Sequence, residues 1–333
     1  MVTTRRSTRS NPVDYTPQEH KKKKKKKETL PSARIILRGL LNAYHGVPKR
    51  ISFFGLDFSF TFAMFISLIF VKEVFFWLLV SLGWPSRSKM TTDAAASLTS
   101  ILHSSYLCSC LTIFFWNLGW NNYIPSAKMK TTNKKWDDVA TACLQLCTGY
   151  MLFDSFSLIK DTFVLGLMPL SQFDCIVLLH HFLTSFYMTS CRFVRAGHIS
   201  AMVLMLTGEI TNPLMNGMFV TRFAIQLECC SSDNMLRLHT FLEHAFAFNY
   251  LIFRIFIGPV CALHLCWDLI FTKRGRKNIP LPLSLLWVSL VLIVLVGGGP
   301  FILEALEMIL DGWKLKFDQN YDYGERFKIQ KDI

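Results

Sequence analysis

Leu178-Leu179-His180-His181-Phe182-Leu183-Thr184 sets two adjacent histidines inside an apolar segment that runs from Phe173 to Arg195. That segment is about 20 residues, the length a helix needs to cross a bilayer. An ionisable side chain at the centre of such a helix costs about 3 kcal/mol on insertion scales, so it normally faces a bundle interior and marks function. At helical spacing His180, Thr184, Tyr187 and Cys191 share one face, with His181 about 100° round. A polar seam of this kind predicts either a functional interior or interhelical hydrogen-bond glue.

The rest of the chain agrees with a membrane setting. Of 333 residues 51% are hydrophobic, 29 are Phe, and the mean hydropathy is +0.32. Apolar runs of about 20 residues recur, which predicts an all-α, polytopic membrane protein. The net charge of +13 is concentrated at one end: residues 1–50 hold 14 basic and three acidic side chains, a net of +11. The remainder is nearly neutral, which argues against nucleic-acid binding. Of the ten cysteines, Cys108, Cys110, Cys143, Cys147, Cys175, Cys191, Cys261 and Cys266 fall in predicted helices and Cys229-Cys230 do not. None has zinc-ligand spacing with histidine, and Cys in apolar helices acts as a small hydrophobe. No metal or cofactor is expected. The sequence holds no N-x-Ser/Thr acceptor, and its first apolar run begins only near Phe58, so no N-terminal signal peptide is read.

Residues 1–50 read as a disordered polybasic tail, with Lys21 to Lys27 attracted to anionic lipid headgroups at about 1 kcal/mol per nearby lysine. Ile35 to Tyr44 fits a short amphipathic surface helix. Residues 51–92 hold a first transmembrane helix, Phe58 to Trp84, interrupted by Lys72-Glu73. A domain over 93–310 supplies six more segments, and 311–333 is a polar tail. The second segment, Asp93 to Gly119, carries Ser97, Ser100, Ser104 and Cys108 on one face with His103 beside it. The third, Val139 to Ile159, lines up Cys143, Cys147, Tyr150, Asp154 and Ser157. The fourth holds the histidine pair. The fifth, Ile199 to Phe223, contains Glu209, Asn212-Pro213 and Asn216, where proline should kink or end the helix. The sixth, Leu236 to Phe271, spaces His239, Glu243, Tyr250 and Arg254 along a face. The seventh, Leu283 to Leu310, has a predicted break at Gly297-Gly298-Gly299-Pro300; no Lys-Ser/Thr follows, which excludes a phosphate loop. The lysine tail and two basic loops (Lys128 to Lys135, Lys273 to Lys277) fall on one side, predicted cytosolic by the positive-inside rule.

Several of these segments, taken in order, resemble the TLC-domain family of multi-spanning proteins. That family includes ceramide synthases, translocating-chain-associated membrane proteins and small TLC-domain lipid regulators. Gly149-Tyr150-Met151-Leu152-Phe153-Asp154 is similar to its Gly-Tyr-x-x-x-Asp helix, and Leu179-His180-His181 to its histidine pair. Glu209-Ile210-Thr211-Asn212-Pro213-Leu214-Met215-Asn216 resembles a segment of the small regulators. His103 and Phe253-Arg254 match a second-helix histidine and a sixth-helix arginine. The resemblance implies a ring of six helices around a central cavity, preceded by one extra helix. It implies a cavity lined by His103, Tyr150, Asp154, Thr184, Tyr187, Glu209, Asn212, Asn216 and Arg254.

Three functions follow from the resemblance. The first is regulation of membrane lipid composition, by binding or acting on an acyl-chain lipid, in the endoplasmic reticulum. The second is N-acyl transfer from acyl-CoA to a sphingoid base, with His180 and His181 catalytic. The third is a cargo or translocation adaptor. The chain departs from the synthases: where they carry aspartates after the histidine pair, it reads Thr207-Gly208-Glu209-Ile210-Thr211-Asn212. It has no homeodomain-like insert, and Met218 stands where the small regulators often have arginine. The missing aspartates and insert weaken the synthase reading and rank the regulator first, while Met218 departs from the regulators themselves.

Overall fold

The computed structural model describes residues 31–119, 122–129, 134–160, 172–227 and 232–317. The lysine run, most of the segment between the third and fourth spans, Cys229-Cys230 and the C-terminal tail after Phe317 lie outside them. The described chain is helical apart from one hairpin and short connections.

Five helical stretches are long and apolar enough to cross a membrane: Ser59–Ser81 (α2), Lys89–Leu118 (α3), Lys134–Ile159 (α4), Asp233–Phe271 and Leu281–Asp311. The last two are each interrupted. The first of them comprises α8 (Asp233–Leu251), a π-helical stretch (Ile252–Ile257) and α9 (Gly258–Phe271). The second passes from α11 (Leu281–Gly297) into α12 (Gly299–Phe317) at the predicted glycine break. Helix α5 (Gln172–Val194) holds the histidine pair. The fifth predicted segment is two helices, α6 (His198–Glu209) and α7 (Asn212–Gln226), parted at Ile210-Thr211. Pro213 sits in the first turn of α7, where its missing N–H has no intrahelical acceptor to lose.

Ahead of α2, the amphipathic helix α1 (Pro31–Gly46) buries Leu37, Leu40 and Tyr44 against α3 and α4. Tyr106 donates to the Ile36 carbonyl at 3.2 Å. A two-residue turn, Phe54-Gly55 with φ of 51° and 77°, closes a hairpin of β1 (Ser52–Phe53) and β2 (Leu56–Asp57). Within α2, Lys72 is buried while Glu73 is exposed, so the charged dipeptide turns only its lysine toward protein.

Helix α6 packs against α3, α4, α5 and α9. Its His198, Ser200, Ala201 and Met202 are buried. One end of the bundle is tied together by backbone contacts. Lys128 bridges Ala196, Met129 donates to the Arg195 carbonyl at 2.9 Å, and Ser126 N–H donates to Asp268 Oδ2 at 2.8 Å. Asn278 donates to the Ser126 carbonyl at 2.9 Å, and a short helix, α10 (Lys273–Asn278), follows α9 there. These contacts bring the basic segments around Lys128, Arg195 and Arg274 to the same end. His45 meets Asp138 at 3.5 Å there, beside Lys135 at the start of α4.

Candidate functional site

Distances along the helices place the predicted residues at one depth. At about 1.5 Å per residue, Tyr150 lies about 24 Å from the basic end of α4, His103 about 22 Å along α3 and His181 about 20 Å along α5. Glu209, at the far end of α6, lies about 16 Å in. The break after Glu209 keeps the chain at this level for two residues before α7 carries it on.

Two polar clusters occupy the level. In the first, Ser100 Oγ of α3 and the Tyr150 hydroxyl of α4 share a hydrogen bond of 2.8 Å. Asn216 Nδ2 of α7 donates to Ser100 Oγ at 3.0 Å and to the Asn212 carbonyl at 2.9 Å. Asn212 Nδ2 in turn donates to Glu209 Oε2 at 2.8 Å. This continuous chain joins α3, α4 and α7 to the end of α6. The His103 ring stacks on Tyr150 with centroids 4.1 Å apart and planes 5° from parallel. Both His103 ring nitrogens are buried without a hydrogen-bond partner among the described residues. Such a group costs several kcal/mol in hydrocarbon, so a donor and an acceptor here favour a polar guest.

In the second cluster His181 Nε2 of α5 lies 3.5 Å from Asp154 Oδ2 of α4, and Ser155 Oγ lies 3.1 Å from His181 Nδ1. His181 is buried and Asp154 half-buried. Lys72 of α2 is close enough for its charge to act on Asp154. Asp154 also bears on Tyr150, one turn earlier on α4, and on Glu209. Arg254, in the π-helical stretch, acts on both Glu209 and His180, and its guanidinium lies 5.3 Å from the Tyr250 ring centroid. Asp154 stands one helical turn beyond Tyr150 on α4, which sets the two clusters side by side.

The histidines of the pair differ. His181, not His180, makes the carboxylate contact; His180 is half-buried and its ring centroid lies 5.8 Å from that of His181. Thr184 is half-buried and takes part in neither cluster. Tyr187, about 10 Å farther toward the basic end, bonds to Ser200 Oγ at 2.7 Å and packs edge-on against Trp287 at 4.8 Å. His239 belongs to a separate contact, 2.9 Å from Thr221 Oγ1 between α7 and α8. The site list read from the sequence omitted Lys72, Ser100 and Ser155. Ser100 was visible as a member of the α3 seam one turn from His103, whereas nothing in the spacing singled out Ser155. Among the described residues no three His, Cys, Asp or Glu side chains are gathered as a metal site.

The family model of the TLC domain matches residues 93–297. No curated protein and no solved structure matches the chain. The match begins where the serine seam of α3 begins and ends at the glycine break after α11, so it takes in both polar clusters. A match over more than half of the chain, on helices of membrane-spanning length, makes this chain a member of the TLC-domain family of multi-pass membrane proteins.

Proposed function

We propose that the protein governs membrane lipid composition, with its adjacent polar clusters forming the chamber in which the polar part of an acyl-chain lipid is bound. The observation that carries this reading is the hydrogen-bonded chain Glu209–Asn212–Asn216–Ser100–Tyr150, lying beside the His181–Asp154 pair at one depth in the bundle. A lipid headgroup is polar, and its tail needs apolar surroundings; the helices offer both. The two unpaired nitrogens of His103 support the same reading, since one ring offers a donor and an acceptor to a headgroup amide or hydroxyl. We assign the N-terminus and the basic end to the cytosol, and the endoplasmic reticulum as the membrane. Clustering of the basic segments at one end of the bundle supports that orientation. On this assignment the Lys21–Lys27 tail meets anionic headgroups.

The test is the lipid profile of cells expressing wild type against His181→Ala and Tyr150→Phe at matched protein levels. Both variants are expected to shift the profile, and unchanged profiles would refute the reading.

A second reading, acyl-CoA-dependent N-acylation of a sphingoid base, is favoured by the same His181–Asp154 contact. An imidazole oriented by a carboxylate can take the proton of an attacking amine as its nitrogen bonds to the thioester carbon, and the CoA thiolate leaves. Purified protein given acyl-CoA and sphinganine is expected to form little amide. Robust turnover lost in His181→Ala would reverse the order of the two readings.

A further inference from the structure

A groove on the side of the bundle is independent of the polar chamber. Helix α4 forms its floor with Thr148 and Leu152, α2 one wall with Phe62, and α5 the other with Phe182 and Phe186. Phe53 of the hairpin lies at its rim, and the cavity volume is about 320 Å³, in the range of small-ligand sites. The lining is apolar but for hydroxyls. It runs along α5 from Phe182 to Thr189, about 10 Å.

Behind Phe58, at the basic end of this groove but outside its lining, sits a buried cation. Arg192, one helical turn beyond Thr189, is only 5% exposed. One nitrogen, Nη2, donates to the Asp57 carbonyl of the hairpin, while Nε and Nη1 are buried with no partner among the described residues. Phe58, itself a groove residue, covers the guanidinium with its ring centroid 5.1 Å from Cζ. The nearby Asp57 carboxylate is engaged as acceptor for Ser59 N–H at 3.0 Å. Two buried guanidinium N–H donors without acceptors are costly even beside the Asp57 carboxylate. A guanidinium N–H is a strong, charge-assisted donor to a phosphate oxygen.

We propose that this groove seats one acyl chain of an anionic phospholipid, whose phosphate displaces the Phe58 ring and accepts a hydrogen bond from an unpaired Arg192 N–H. The occupant is a membrane phospholipid because the apolar trough leads to the cation and both lie on helices of the membrane domain. Arg192 thereby joins the hairpin, the end of α5 and the lipid headgroup in one contact.

The experiment uses the full-length protein in nanodiscs of phosphatidylcholine, doped with a phosphatidic acid carrying a photoreactive acyl chain; a neutral diacylglycerol with the same chain serves as control. Cross-links are mapped by mass spectrometry. Phosphatidic acid is expected to label the stretches 58–62, 148–152 and 182–189, at least tenfold more strongly than the neutral probe. Arg192→Gln should remove that preference, Arg192→Lys should retain part of it, and Ser185→Trp, which projects a ring into the trough and leaves Arg192 untouched, should abolish labelling by both probes. Labelling elsewhere only, or equal labelling by the two probes in wild type, overturns the proposal. If Arg192→Gln does not fold, the Ser185→Trp result and the two-probe comparison decide it. Because none of these residues lies in the polar chamber, failure here leaves the chamber reading standing, and a His181→Ala variant should label normally.

Discussion

Gly149 and Tyr150 are adjacent, about 100° apart round α4, and serve different neighbours. A Cβ on Gly149 would stand 2.7 Å from the Thr61 carbonyl and 3.0 Å from Met64 Cβ, so the glycine lets α2 and α4 approach backbone to backbone. Tyr150, about 100° round the helix, reaches Ser100 of α3 and stacks on His103. Gly149→Ala is therefore expected to destabilise by about 1–3 kcal/mol, as overpacking does, whereas Tyr150→Phe should cost only about 0.6 kcal/mol, the average for an interhelical hydrogen bond in a membrane. Thermal unfolding in detergent separates the two. Equal losses would mean that α2 and α4 are not in close contact. The Gly-Tyr pair and the aspartate one turn on were legible in the sequence because spacing alone sets them on α4. The identity of the inward histidine was not. The polar seam through Thr184 and Tyr187 pointed to His180, yet His181 meets Asp154 because α4 lies on the side of α5 about 100° round from that seam.

At the scale of elements, the breaks matter more than the spans. The predicted fifth helix is cut at Ile210-Thr211, and that cut sets Glu209, Asn212 and Asn216 within reach of one another. Proline made the break legible; that α6 would pack against α3, α4, α5 and α9 was not, because its polar residues, His198, Ser200, Thr207 and Glu209, gather on no single face. The π-helical stretch at Arg254 likewise left no trace in the spacing, since it depends on Gly258, whose added Cβ would meet the Phe253 carbonyl at 2.8 Å. The turn into α6 rests on Gly197, with φ of 80° and Trp287 only 2.5 Å from the position of an added Cβ. Gly197→Ala should destabilise by about 2 kcal/mol or more, through backbone strain and a clash together. A melting temperature within 1–2 °C of wild type, where about 2–4 °C corresponds to 1 kcal/mol in a chain of 150–250 residues, would contradict that contact.

For the molecule as a whole, the asymmetry of its two ends predicts how it sits. Lys128, Arg195 and Arg274 gather at one end, while Arg87 and Lys89 lie in the turn between α2 and α3 at the other. Trypsin added to sealed microsomes is expected to cut at the basic end and spare Arg87 and Lys89; cleavage after Arg87 with the Lys128 segment intact would invert the orientation. The central claim is that the polar clusters hold lipid rather than merely join helices. Mass spectrometry of lipid co-purified with wild type and with His181→Ala, Glu209→Gln and Asn216→Leu, at equal yield of folded protein, tests this most directly. One lipid class retained by wild type and depleted in all three variants is expected; identical lipid content across the set, with only thermal stability altered, would contradict it.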